Sequence, residues 1–79
     1  MTVQVFLSAT LRAFVPGYDP AGGVPVELPA GSPAGEVCRR LGVPPEKVRV
    51  YMVNVRHGEP TDPLRGGERV ALFPPVGGG

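Results

Sequence analysis

RGGERVALFPPVGGG, residues 65–79, joins a glycine turn, an alternating five-residue run and a tail of two prolines, a valine and three glycines. In RVALF, residues 69–73, Val70 and Leu72 share one face while Ala71 and Phe73 share the other, the period of a half-buried strand. Pro74 and Pro75 fix φ, so the base of the tail is stiff, whereas Gly77, Gly78 and Gly79 carry no Cβ and leave its tip loose. A strand that feeds such a tail predicts a terminus built to be presented. The expected division is a folded body over 1–73 and a flexible tail over 74–79.

The rest of the chain supplies the partners of that strand. VQVFL at 3–7 places Val3, Val5 and Leu7 on one face, and Gln4 and Phe6 on the other. VPVEL at 24–28 alternates Val24, Val26 and Leu28 against Pro25 and Glu27, and Pro25, which cannot donate a ladder hydrogen bond, predicts an edge position. The two strands suggest a hairpin with a wide loop. GSPAGEVCRRLG reads as a short helix: Ser32 as cap, Pro33 at the first helical position, Arg39 and Arg40 in the last turn, Gly42 at the stop. Ala34, Val37, Cys38 and Leu41 fall at helical spacing and are expected against the sheet. PPEKV is a turn. VRVYMVNV is a third long strand with Tyr51, Val53 and Val55 on one face, and RHGEPTDPLRGGE is a turn-rich crossing with Leu64 in the core.

Strand, strand, helix, strand, turns, strand is the order of an α+β, ubiquitin-like β-grasp fold: a mixed sheet of four to five strands with one helix packed across it. Length supports one domain, since 79 residues allow a single modest core. Glycine and proline are abundant, 12 and 11 residues, but they cluster between the strands and punctuate them.

Composition excludes several function classes. A net charge of +1 from singly scattered charges gives no basic stripe, which argues against nucleic acid as a partner. No apolar run approaches the roughly 18 residues that span a bilayer, and no leader pattern opens the chain, so no membrane partner and a cytoplasmic location are expected. One cysteine and one histidine cannot form an internal disulfide or a four-ligand zinc site, so no metal is expected. Cys38 lies late in the predicted helix on its apolar side and reads as a core thiol, and His57 as a solvated turn residue. The strand parities leave Phe6, Met52, Ala71 and Phe73 as an apolar sheet face turned away from the helix, the expected partner surface.

LRGGERVALFPPVGGG, with VNVRHGEPTDPL before it and SATLRAF after the first strand, resembles the MoaD/ThiS ubiquitin-like sulfur carriers, above all the small subunit of molybdopterin synthase. Gly77 stands where family members often carry serine or alanine. The resemblance implies a cycle in which a ubiquitin-activating-type adenylyltransferase joins AMP from ATP to the carboxylate of Gly79. A sulfur donor such as a cysteine desulfurase or rhodanese then displaces AMP to leave a thiocarboxylate. The resemblance further implies that the tail, Pro74, Pro75, Val76, Gly77, Gly78 and Gly79, enters the active site of a molybdopterin synthase large subunit. Arg65, before Gly66 and Gly67, reads as a polar turn residue, with a grip by the activating enzyme as the functional alternative. The chain itself binds no cofactor on this reading. Two alternatives stay open: a covalent protein modifier or a carrier for thiamine, cysteine or tRNA thiolation, and a non-covalent β-grasp binding module with an inert tail.

Overall fold

A computed structural model describes residues 1–75. Five strands form one sheet: β1 (Thr2–Leu7), β2 (Val24–Glu27), β3 (Val50–Val53), β4 (Arg56–Gly58) and β5 (Arg69–Phe73), in the order β2-β1-β5-β3-β4. β5 runs parallel to β1 in the centre, with Phe6 opposite Ala71 and Leu7 opposite Leu72, and the other pairings are antiparallel. The helix α1 (Glu36–Leu41) covers one face. β2 is at an edge, as Pro25 requires, and it forms the wide-looped hairpin with β1.

The alternation of each strand builds the core. Val3, Val5, Leu7, Val70 and Leu72 are each at most 1% exposed and pack with Ala34, Val37 and Cys38 of the helical segment and with Leu64. Burying each Leu or Val contributes roughly 1.5–3 kcal/mol, which explains why a small helix and five short strands suffice. The Tyr51 hydroxyl lies 3.4 Å from the Cys38 sulfur within this core. Burial pushes the Cys38 thiol above its ordinary pKa, so it is an inert core group, in line with its expected role.

The expected helix needs correction at its start. The helix starts at Glu36, not at Pro33, and Ser32 does not cap it: the Ser32 hydroxyl donates to the Pro29 carbonyl. Residues 31–35 instead lie beside residues 60–64, with the Gly31, Ala34, Gly35 and Leu64 amides donating to Leu64, Asp62, Pro60 and Ser32 carbonyls. Gly35 is the N-cap, and a Cβ there would stand 3.2 Å from the Pro60 carbonyl oxygen. Tertiary hydrogen bonding thus overrides the local helix signals.

The third strand is shorter than expected. It ends at Val53, and Asn54 and Val55 turn the chain with φ of 51° and 60°. Positive φ at both central residues is the type I′ geometry that matches strand twist in two-residue hairpins. Val55 therefore leaves the face of Tyr51 and Val53 and is 91% exposed. The turn also makes Arg56–Gly58 a strand rather than part of a loop, so His57 is an exposed strand residue opposite Met52.

Candidate functional site

Cross-strand register assembles the sheet face opposite the helix. Phe6 is opposite Ala71, Ala71 opposite Met52, and Met52 opposite His57, so four strands contribute one row of side chains. Residues directly opposite one another share a face, and residues two apart along β5 add Arg69 and Phe73 to it. Phe6, Met52, Val55, Arg69, Ala71 and Phe73 line an open groove of about 400 Å³. The sheet order thereby brings together the four apolar residues expected there, Phe6, Met52, Ala71 and Phe73. Phe73 is 37% exposed, and the other three are half-buried.

Arg69 gives the groove its charge. Its guanidinium sits 4.6 Å from the centre of the Phe6 ring, a cation–π placement that orients both side chains. Among the described residues no carboxylate pairs with it: the ion pairs there join Glu27 to the N-terminus and Glu36 to Arg39 and Arg40.

β5 aims the tail. Phe73 closes the strand at the end of the sheet where Leu7 and Leu72 pair, followed by half-buried Pro74 and exposed Pro75. Val76, Gly77, Gly78 and Gly79 lie outside the described residues.

Arg65 stands apart from the groove. Gly67 donates to the Thr2 carbonyl at 2.8 Å and Gly66 approaches Met1, so its loop lies where β1 begins, at the other end of the sheet from the tail. That loop is held by Glu68, which is 9% exposed and accepts the backbone N–H groups of Arg65 and Gly66, each at 2.7 Å. Burial alone would raise the Glu68 pKa, but these N–H bonds and the Arg65 charge outweigh it and hold the carboxyl below its ordinary 4.5. A folded-state pKa below the unfolded value contributes stability above about pH 4.5 that is lost as pH falls through the folded value. Glu68→Gln should therefore lower unfolding free energy at pH 7 by about 1.5 kcal/mol, with the difference narrowing below pH 4, as read by denaturant titration.

The whole sequence can now be set beside known proteins. It matches the ThiS family over residues 6–79. The chain belongs to the ThiS family. A comparison with curated proteins gives no match. Among solved structures, two crystal structures of small archaeal modifier protein 1 from Haloferax volcanii superpose with TM-scores of 0.70 and 0.69 at 22% identity. The first covers 100% of both chains, and the second 95% of this chain and 98% of that one. A protein assigned as molybdopterin converting factor subunit 1 from Pyrococcus furiosus superposes with a TM-score of 0.67 at 24% identity, covering 96% of this chain and 99% of that one. These likenesses establish the β-grasp, ubiquitin-like fold.

As a ThiS-family chain, the protein belongs with the ubiquitin-like sulfur carriers, which in general work with activating enzymes and partner subunits. No group of three or more His, Cys, Asp or Glu side chains placed to hold a metal occurs among the described residues, and no helix among them is long and apolar enough to cross a membrane. What these residues form is an open, largely apolar groove beside β5, the strand that leads into Pro74 and Pro75. Sequence parity missed Arg69, Val55 and His57 as members or neighbours of this face. Arg69 has the parity of Ala71 and was discoverable from it. Val55 and His57 required the unexpected turn at Asn54.

Proposed function

We propose that this ThiS-family chain is a sulfur carrier that acts as the small subunit of molybdopterin synthase. The observation that carries the reading is the arrangement of β5: one strand is anchored in the core by Val70 and Leu72, offers Arg69, Ala71 and Phe73 to the groove, and continues into Pro74 and Pro75. The family match running through residue 79 supports assigning the chemistry to the glycines that follow.

A carboxylate is a poor electrophile because its leaving group would be oxide. In the proposed cycle the Gly79 carboxylate attacks the α-phosphorus of ATP on an adenylyltransferase, releasing pyrophosphate and forming an acyl-adenylate. The terminal sulfur of a persulfide carried by a cysteine desulfurase or rhodanese then attacks the acyl carbon and AMP leaves, giving an acyl disulfide that a thiol cleaves to the thiocarboxylate and a disulfide. ATP is the activating enzyme's substrate and is not held by this chain, and the cycle runs in the cytoplasm, where ATP is supplied. On the large subunit two thiocarboxylated carriers in turn each give one sulfur to precursor Z to form the dithiolene, and water restores the Gly79 carboxylate each time. Six residues beyond Phe73 reach about 20 Å at about 3.3 Å each, enough for a recessed site while the groove docks the body. Holding the reacting carboxyl in place there contributes roughly 7–11 kcal/mol towards the barrier.

The likeness to small archaeal modifier protein 1 favours a second reading, covalent modification, in which an acceptor lysine takes the place of the sulfur nucleophile. Mixing the chain with the host's molybdopterin synthase large subunit separates the two. Co-elution as a stable complex is expected for the carrier. Absence of such a complex, with lysine-linked adducts when the chain is incubated with the host's activating enzyme, ATP and host proteins, would support the modifier.

A further inference from the structure

Leu7 ends β1 on an open edge. β2 reaches only as far as Val24, opposite Val5, and the Gln4 and Ser8 amides point to β5, so the Leu7 N–H and C=O face the side that β2 leaves empty. Leu7 is 1% exposed, and backbone groups left unpaired at such a position are costly. Two side chains close the gap. The Tyr18 hydroxyl accepts the Leu7 N–H at 2.8 Å, the Arg12 Nε donates to the Leu7 carbonyl at 2.9 Å, and the Arg12 guanidinium lies 5.5 Å from the centre of the Tyr18 ring. Residues 7–18 therefore form a closed loop, with buried Leu11 pinning its middle to the core.

The closed loop bears on the point where the chain leaves the sheet. The last two carbonyls of β5 are each held by one amide: Leu72 by Ser8 at 3.2 Å, within the loop, and Phe73 by Arg49 at 2.8 Å, on the other flank. Pro74 and Pro75 have no N–H to add, so these two bonds set the direction that the fixed φ of the prolines carries forward. Ala9, next to Ser8, stands at φ 52°, a strained conformation for a residue with a Cβ and one that persists only where its surroundings hold it. We infer that Tyr18, together with Arg12, is a positioning residue for the tail: by closing the loop on Leu7 it holds the Ser8 amide against Leu72 and fixes the line on which Pro74 leaves β5. The inference rests on the carrier reading, in which that line decides how the Gly79 carboxylate meets the activating enzyme.

The test is ATP–pyrophosphate exchange by the host's activating adenylyltransferase, with ATP saturating and the full-length chain varied, at a temperature well below the Tm of each variant. Tyr18→Phe keeps the ring beside Arg12 but leaves the Leu7 N–H without its acceptor, and Arg12→Lys keeps the charge but loses the Nε donor. Each should lower kcat about tenfold, the scale of a displacement somewhat under about 1 Å, with KM for the chain within about twofold of the parent, because the groove is untouched. The Ser8 amide should also exchange with solvent deuterium faster in both variants while the Arg49 amide keeps its parent rate. Parent values of kcat in the two folded variants overturn the positioning role and leave the carrier reading intact. A raised KM at unchanged kcat overturns it too, because the two side chains would then be direct partner contacts. Absence of exchange with the parent chain overturns the carrier reading and the positioning role with it.

Discussion

One alanine added after Gly79 is expected to abolish activation. The proposed cycle requires the carboxylate at the end of a segment whose last three residues have no Cβ, which lets that segment pass close to partner backbone. An added residue moves the reactive carbon by up to about 3.3–3.6 Å and places a methyl group where the catalytic groups converge. A displacement of that order removes the near-attack geometry, where even about 1 Å can cost a hundredfold. Pyrophosphate release by the activating enzyme should therefore fall to background, while the melting temperature should not change, because among the described residues the last core side chain is Leu72. Retained adenylation by the extended chain would contradict the assignment of Gly79.

Ala71→Arg should separate docking from chemistry. Ala71 is half-buried at the centre of the row from Phe6 to Met52, and its neighbour two positions back on the same face, Arg69, is already cationic. A second guanidinium there fills the groove and sets like charges side by side. Loss of a central contact of this kind costs about 2–4 kcal/mol of binding, or roughly 30- to 700-fold in affinity for the large subunit. The side chain points away from the core, so stability should change by less than about 1 kcal/mol. Titration calorimetry with the large subunit reads the first quantity and thermal melting the second. An unfolded variant would show that the face is structural, and undiminished binding would place the interface elsewhere.

The parts of this fold that were legible in sequence are those whose side chains alternate. β1, β2 and β5 each bury one set of aliphatics, and Val3, Val5, Leu7, Val26, Val70 and Leu72 are all buried as their spacing requires. Phe6, Ala71 and Met52 followed from the same parity once the strands were paired correctly. The α1 start was misread because Ser32 and Pro33 are sound helix signals locally, while their backbone is engaged by the 60–64 segment, a contact between residues some thirty positions apart. The β3–β4 hairpin was misread for the opposite reason. Asn-Val is not the Asn-Gly dipeptide that announces a type I′ turn, and alternation through Val53 and Val55 continues past the point where the chain reverses. The residue that breaks the local rule is also the one exposed beside the groove.

The most direct test of the account is the intact mass of the chain after incubation with the host's activating adenylyltransferase, ATP and a sulfur source. The account predicts a gain of about 16 Da, one carboxylate oxygen replaced by sulfur, localised to the peptide that ends in Gly79 and absent without ATP. An unchanged mass, with the same enzyme proven competent on another carrier, would contradict it and leave the groove as the surface of a non-covalent binding module.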